Sequence, residues 1–316
     1  MNRRDLVKAA IAHQRTERVP YYIAFTPDGE KRLREVIGER NVKDFVDNDL
    51  IHVSPPWWEW HELGPEWRES ASPTTRAGVA GNGNYPAFFD SLKMLRDNSD
   101  KYILVMIYGS HFEKANVSRG IENFLADLAG DPPFARKLLN RIIEKNMVML
   151  ENFLSTPEID GVLLGSDWGT QLDLIMSPDT WQDMIRPGEQ REYDLVHSYA
   201  KDVWVHSCGN VEKVIPSLVE MGLDVLNPVQ PEAMDLARLK KRFGDRLTFW
   251  GGISTQRALP FGTPDEVKQE ARRVRDLMSE NGGYIMAASQ EIQGDVPGEN
   301  IRALIEVARE TLPLSS

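Results

Sequence analysis

The stretch "DVWVHSCGNVEKVIPSLVEMGLDVLN", residues 202–227, contains a complete strand–helix–strand unit. Its first seven residues alternate β-branched side chains with others, as is typical of a strand in a sheet. The middle part carries apolar residues at helical spacing and ends at Gly222, a residue type that favours a helix C-terminus. Residues 223–227 form a second short apolar run. The stretch therefore predicts two parallel strands joined by a helix.

The same alternation extends along most of the chain. The expected strands span residues 19–25, 49–54, 102–109, 160–167, 202–208, 223–227, 247–252 and 282–289. Helical segments lie between them, and a final helix is expected over about 297–311. Eight strands, nearly all followed by a helix, predict an α/β fold, a (β/α)8 TIM barrel that forms a single domain over residues 1–316. A doubly wound open sheet is the alternative, and it is disfavoured because no GxGxxG motif follows a strand.

Residues 55–90 interrupt this pattern, because they show little helical periodicity. They contain half of the eight tryptophans of the chain, namely Trp57, Trp58, Trp60 and Trp67. We expect a hairpin or loop insertion after the second strand that lies over the mouth of the barrel. Its tryptophans are equally compatible with stacking on a flat substrate and with packing that holds the insertion together.

Composition narrows the class of protein. The chain has 37 Lys and Arg against 48 Asp and Glu, a formal net charge of -11, which disfavours nucleic acid as a partner. No apolar run approaches the roughly 20 residues of a membrane span, and the first 20 residues resemble an amphipathic helix instead of a signal peptide. A single cysteine excludes an internal disulfide. We expect a cytoplasmic enzyme or binding protein that acts on a small molecule, and the sequence leaves open whether it is a homo-oligomer.

Polar side chains gather at the ends of the expected strands, where the reactive groups of a TIM barrel lie. We expect catalytic roles for Asp167 and Glu291, although Asp167 is equally compatible with a helix cap. The residues expected to contact the substrate are Trp57, Trp58, Tyr108, His111, Trp168, Gln171, Asn227 and Gln230. For His111, a surface position at a helix start is the simpler alternative.

Cys208, the only cysteine, follows His206 by two positions. Residues two apart in a strand point to the same face, so the imidazole and the thiol are expected to lie together at the rim of the barrel. Histidine nitrogen and cysteine sulfur are both ligands that zinc prefers. The alternative is an inert buried cysteine, which is common in protein cores.

Several segments resemble the uroporphyrinogen decarboxylase superfamily, and most closely its zinc-dependent corrinoid (methylcobalamin) methyltransferase branch. The similar segments are "GVLLGSDWGTQLDLIMSP", "HSCGNVEKVIPSLVEMGLDVLNPVQ", "FWGGIS" and "GGYIMAASQEIQGDVPGENI". This resemblance implies a TIM barrel, in agreement with the periodicity. It also implies methyl transfer between methylcobalamin, carried on a partner corrinoid protein, and a small substrate.

The resemblance assigns metal ligands with one departure. His206 and Cys208 match two zinc ligands of the methyltransferases, but Gln290 stands where the third ligand is usually a cysteine. Three arrangements are open: Glu291 supplies a carboxylate, Gln290 binds through its carbonyl oxygen, or zinc is absent. The last case corresponds to a metal-free binding barrel.

A porphyrinogen decarboxylase is the other enzymatic alternative. Decarboxylases of the superfamily carry an arginine-rich segment after the first strand, where this chain has "AFTPDGEKRLREV", residues 24–36. Thr-Pro-Asp-Gly occupies the arginine positions, and Arg32 and Arg34 are expected to be solvated on a helix. Burying the acidic groups of a porphyrinogen without cations is unfavourable, so decarboxylation is disfavoured.

Overall fold

The computed structural model describes residues 1–56, 85–107 and 109–312. Within this part of the chain, one parallel sheet has the strand order β1-β2-β3-β4-β5-β6-β7, so each strand pairs with its neighbour in sequence. The strands are β1 (Leu50–Val53), β2 (Tyr102–Ile107), β3 (Gly161–Gly165), β4 (Asp202–His206), β5 (Val225–Asn227), β6 (Thr248–Ile253) and β7 (Tyr284–Ala288). They correspond to seven of the eight expected strands.

The remaining expected strand, 19–25, is present as isolated bridges and not as a ladder. Tyr21 bridges to Met286 of β7, and Asp49, next to β1, donates its backbone N–H to the carbonyl of Tyr21 (3.1 Å). Pro20 has no N–H to donate, and the N–H of Tyr21 is bonded to the side chain of Asp49 (2.9 Å) instead of to a strand backbone. The segment thus contacts both edges of the curled sheet, at the position of an eighth strand.

The two faces of the sheet carry separate apolar clusters, as expected for a sheet that curls on itself. The inner cluster contains Leu50, Leu104, Leu163, Trp204 and Ile285. Outward-facing residues such as Val203 and Val205 pack instead in a larger cluster against the surrounding helices. This alternation along each strand fixes which side chains reach the inner space at the carboxyl ends of the strands.

Helices follow most of the strands and form the outer layer. They span Arg3–Ile11, Pro27–Ile37, Val42–Val46, Tyr85–Asn98, Phe112–Arg119, Ile121–Gly130, Pro132–Leu154, Pro178–Thr180, Arg186–Ser198, Ile215–Glu220, Leu236–Phe243, Ala258–Phe261, Pro264–Met278 and Gly298–Ala308, with a π-helical turn at Trp181–Ile185. Thr263 and Glu266 form a capping box at the start of Pro264–Met278. Among the described helices, none is long and apolar enough to cross a membrane.

The expected insertion over 55–90 is not confirmed. Its four tryptophans lie outside the described residues. Residues 85–90, which we expected to be irregular, begin the helix Tyr85–Asn98. Phe88 and Leu92 of this helix are buried against the core, which explains why the segment is helical despite its weak periodicity.

Candidate metal centre and substrate cavity

A cavity of about 400 Å³ opens at the carboxyl ends of the strands. Every one of the strands β1–β7 contributes a residue to its wall. The polar lining side chains are Tyr22, His52, Asp167, His206, Cys208, Asn227, Ser289, Gln290 and Glu291. The apolar wall includes Met106, Leu163 and Trp250, so the cavity combines an apolar lower part with a polar rim. This is the composition expected of a small-molecule site.

His206 and Cys208 lie together on this rim, as their spacing predicts. The imidazole Nε2 is 3.3 Å from the Cys208 Sγ. Asp167, at the end of β3, brings its Oδ1 to 3.6 Å from the same Nε2. The three side chains can place one ligand atom each within 4.8 Å of the others. A sulfur, a nitrogen and a carboxylate oxygen therefore converge on one point.

Asn227 fixes the orientation and the tautomer of His206. Its Nδ2 donates to the backbone carbonyl of Trp250 (3.0 Å), which directs Oδ1 towards the imidazole. Oδ1 lies 2.6 Å from Nδ1 of His206. Because an amide oxygen only accepts, Nδ1 is the donor in this contact, so the neutral tautomer that it favours has its lone pair on Nε2. Metal-binding histidines are held in this way by a partner behind the ring.

Cys208 makes two further hydrogen bonds, one through its backbone N–H and one through its sulfur. Its backbone N–H donates to Asp167 Oδ1 (2.8 Å), so the carboxylate is tied to the strand end that carries the thiol. Gln290 donates from Nε2 to Sγ at 2.6 Å. Burial and the neighbouring Asp167 raise the pKa of the Cys208 thiol to about 12, although the Gln290 hydrogen bond acts in the opposite direction. In the absence of a metal, the sulfur is therefore protonated at neutral pH.

The turn after Cys208 depends on glycine. Gly209 has a φ of +80°, and a Cβ at this position would lie 2.5 Å from the carbonyl carbon of Gly169. The loops after β3 and β4 therefore approach each other closely, backbone against backbone. Gln230 accepts from the N–H of Gly209 at 2.5 Å and is itself buried. This contact places Gln230 in support of the turn, outside the cavity lining.

The donor set fits zinc. Zinc is commonly bound by cysteine, histidine and carboxylate ligands, and a catalytic site keeps one further position open. Asp167 supplies the oxygen here, whereas Glu291 is not among the side chains that converge with His206 and Cys208 in the described structure. Gln290 presents its nitrogen, and not its oxygen, to the sulfur. The set His206, Cys208 and Asp167 thus differs from both zinc-binding arrangements left open by the sequence, in which the third ligand is Glu291 or Gln290.

The lower wall of the cavity is aromatic. Tyr22 stacks on His52 with ring centroids 4.3 Å apart, and Trp250 meets both rings edge-on at 5.8 and 5.4 Å. Burial, with a smaller contribution from His206, lowers the pKa of His52 to about 4, so this imidazole is neutral at pH 7. Burial and Glu291 raise the pKa of Tyr22 to about 12. We call Tyr22, His52 and Trp250 the aromatic wall.

Sequence reasoning did not identify the aromatic wall, although a signal was present. His52 follows Leu50 by two positions in β1, and Leu50 faces the inner cluster. The same alternation places Trp250 inward on β6. Applying the rule used for His206 and Cys208 to these strands would have placed both rings in the cavity.

Two predicted substrate contacts are buried elsewhere. Trp168 has no exposed surface and packs edge-on against Trp181 at 5.3 Å, so it belongs to the core between sheet and helices. His111 is also fully buried, neither on the surface nor among the cavity-lining residues. Its Nε2 donates to the carbonyl of Ile185, and its Nδ1 lies 3.1 Å from a carboxylate oxygen of Glu189. Burial alone would lower the pKa of His111, but Glu189, Glu192 and the Ile185 carbonyl together outweigh it, so the pKa is raised.

The remaining predicted contacts divide into three groups. Asn227 lines the cavity, but its side chain is engaged with His206. Gln171 is exposed on the loop after β3 and does not line the cavity. Trp57, Trp58 and Tyr108 lie outside the described residues.

Glu113 was also missed, and it lies close behind the cavity wall. A Cβ on Gly165, which lines the cavity, would be 3.9 Å from Glu113 Oε2. Burial and the charge of Asp167 raise the pKa of Glu113 to about 7. Its carboxyl group can therefore hold or release a proton near neutral pH next to Asp167.

Comparison with known proteins supports a family. A uroporphyrinogen decarboxylase (URO-D) family model matches residues 69–311. Over 136 residues the chain is 31% identical to the methylcobamide:CoM methyltransferase MtaA of Methanosarcina barkeri, which covers 43% of this chain and 38% of that protein. Over 156 residues it is 22% identical to the uroporphyrinogen decarboxylase of Pelodictyon phaeoclathratiforme, with 44% of this chain and 42% of that one covered. The chain thus aligns with well under half the length of these relatives.

A solved structure extends the likeness to the whole fold. The methyltransferase from Methanosarcina mazei superposes with a TM-score of 0.75 at 17% identity and covers 98% of both chains. At that identity the superposition supports the TIM-barrel-like architecture alone, while the family model spans most of the chain. The chain belongs to the uroporphyrinogen decarboxylase family.

Proposed function

We propose that the protein is a methyltransferase that moves a methyl group between a corrinoid, carried on a partner protein, and a sulfur or oxygen atom of a small substrate. The observation that carries this proposal is the convergence of Cys208 Sγ, His206 Nε2 and Asp167 Oδ1 on the cavity rim. The similarity to MtaA, a methylcobamide:CoM methyltransferase, supports the same reaction class.

His206, Cys208 and Asp167 would hold zinc, with Asn227 behind the imidazole. Zinc bound there would act as a Lewis acid that lowers the pKa of a substrate thiol or hydroxyl group. The transfer to a thiol balances as methylcobalamin plus thiol giving methyl thioether, cob(I)alamin and a proton, and demethylation is the reverse.

The remaining roles fall to side chains of this chain. The aromatic wall excludes water from the lower cavity and packs against the body of the substrate. Asp167 and Glu291 stay our candidates for catalytic carboxylates. Asp167 lies on the rim beside His206 and Cys208, where a metal-bound heteroatom would react, and the exposed Glu291 can pass a released proton to solvent. Glu113 can take part in the same transfer, because its pKa of about 7 allows both protonation states.

Porphyrinogen decarboxylation has less support. Arg32 and Arg34 lie on the helix Pro27–Ile37 with exposed side chains; Arg32 donates to the carbonyl of Gly294, and Arg34 pairs with Glu30. The described lining of the cavity contains no Lys or Arg. The charge needed to bind an acidic porphyrinogen is thus missing from this part of the site.

Two measurements test the proposal together. Zinc content and affinity are compared for the wild type, Cys208→Ser and His206→Ala, with His197→Ala as the matched control, since His197 pairs with Asp224 away from the cavity. We expect about one zinc per wild-type chain, a loss of affinity of at least about tenfold in the two site variants, and no change in the control. Conversion of methylcobalamin to cob(I)alamin in the presence of thiols is then followed spectroscopically. Equal zinc binding by all variants, or no conversion by the zinc-loaded protein with any thiol, would refute the proposed function.

A further inference from the structure

The charged side chains that line the cavity are acidic, a feature that methyl transfer itself does not require. Asp167 and Glu291 are its carboxylates, and the described lining contains no Lys or Arg. His52 is held neutral by its burial. The described lining therefore contains two carboxylate side chains and no Lys or Arg to compensate them.

The sign of this charge does not depend on metal loading. A divalent metal held by His206, Cys208 and Asp167 would be balanced by two negative ligands, the Cys208 thiolate and the Asp167 carboxylate. Glu291 then remains as the uncompensated charge of the described lining. In both states the field at the mouth favours a positive group and opposes a negative one.

The aromatic wall lies within reach of that charge. Tyr22 and Trp250 line the same cavity as Glu291, and the Glu291 carboxylate acts electrostatically on the Tyr22 hydroxyl. Aromatic rings next to a carboxylate attract ammonium and related cations, through the ring quadrupole and through charge. Neither element gives a sulfonate or carboxylate a counter-charge.

We infer that the substrate of this cavity is a small cation, whose positive group lies between Glu291 and the aromatic wall while its thiol or hydroxyl faces Cys208. The second half of this statement rests on the proposed function; the charge preference does not. The inference separates this chain from its relative MtaA, which is named as a methyltransferase of CoM, a thiol that carries a sulfonate anion.

Three thiols of nearly equal size test the inference, because they differ in charge. They are 2-aminoethanethiol (a cation), 2-mercaptoethanol (neutral) and 2-mercaptoethanesulfonate (an anion). Binding to the zinc-loaded protein is measured by calorimetry without any corrinoid, so the result is independent of methyl transfer. We expect the cation to bind about tenfold more tightly than the neutral thiol and the anion at least about tenfold more weakly.

Variants separate the charge of the cavity from the acidity of each thiol. Glu291→Gln should weaken binding of the cation about fivefold and leave the neutral thiol unchanged, since only the cation interacts with the lost charge. Tyr22→Leu should also weaken binding of the cation, whereas Tyr22→Phe, which keeps the ring, should not. Glu122→Gln, on an exposed helix surface, is the matched control.

Three binding results would overturn the inference that the substrate is a cation. Tightest binding of the anion overturns the inference, as does a cation preference that Glu291→Gln leaves intact. Failure of all three thiols to bind also overturns it. In that case zinc content and the methylcobalamin assay still judge the proposed function separately.

Discussion

Replacing Asn227 tests whether His206 is built to bind a metal. Asn227 holds the imidazole by one hydrogen bond, Oδ1 to Nδ1 at 2.6 Å, and is itself held by donating to the Trp250 carbonyl at 3.0 Å. Asn227→Ala removes both contacts without removing a metal ligand. The imidazole is then free to rotate and to exchange its proton between the two nitrogens, so Nε2 no longer presents a lone pair to the metal in every molecule.

The expected effects follow from these two contacts. Partners that lie behind a ligating histidine change metal affinity by about 10- to 100-fold, or about 1.4 to 2.8 kcal/mol. Two lost hydrogen bonds, each worth about 1 kcal/mol, should lower the free energy of unfolding of the metal-free protein by about 2 kcal/mol. Asn227→Asp should keep zinc affinity near the wild-type value, because a carboxylate also accepts from Nδ1.

A competition titration against a chromophoric chelator measures zinc affinity, and denaturant unfolding measures stability. Asn123→Ala is the control, since that asparagine is exposed and bonded within its own helix region. If Asn227→Ala remains folded and binds zinc as tightly as the wild type, the hydrogen bond does not prepare a ligand, and the assignment of His206 loses its main structural support.

Three further changes have defined outcomes. Gln290→Cys should tighten zinc binding at least about tenfold in the same titration, because it adds a soft ligand beside Cys208; unchanged affinity would contradict a metal site at this position. Gly209→Ala should destabilise the protein by at least about 2 kcal/mol in denaturant unfolding, since its φ of +80° and its approach to Gly169 leave no room for a Cβ. His52 has its pKa lowered to about 4, so the folded state binds fewer protons than the unfolded state, and stability should fall as the pH drops from about 6.5 towards 4. His52→Phe should remove about 2 to 3 kcal/mol of this acid-induced loss of unfolding free energy. If the variant loses the same stability on acidification as the wild type, the lowered pKa of His52 is refuted.

Strand positions and the pairing of His206 with Cys208 could be predicted from the sequence, because both depend on local periodicity. Apolar alternation placed seven strands correctly, and a spacing of two residues placed both side chains on the rim. The segment 19–25 shows the limit of this reasoning. Its apolar pattern is that of a strand, but Pro20 and the side chain of Asp49 interrupt the backbone ladder.

The partners of each rim residue could not be predicted, because they depend on loops and on distant helices. Asp167 reaches Cys208 through the close approach of the loops after β3 and β4, which no spacing in the sequence encodes. The neighbouring Trp168 turns the opposite way into the core. The buried His111 places Nδ1 3.1 Å from a carboxylate oxygen of Glu189, which lies on a helix far away in the chain. Pairing of buried charges is thus a tertiary property, decided by packing.

Uroporphyrinogen provides the last test, because it is a polyanion and the cavity is inferred to bind a cation. Its acidic side chains would have to approach Asp167 and Glu291, and each carboxylate buried without a cation costs several kcal/mol. Arg32 and Arg34 cannot help from their present positions, since the helix Pro27–Ile37 buries Leu33 and Ile37 and turns both arginines outward. We therefore expect no coproporphyrinogen when the protein is incubated anaerobically with uroporphyrinogen and the oxidised products are separated by chromatography with fluorescence detection. Conversion well above a reaction without protein would mean that the site binds polyanions, and it would overturn both the charge inference and the preference for methyl transfer over decarboxylation.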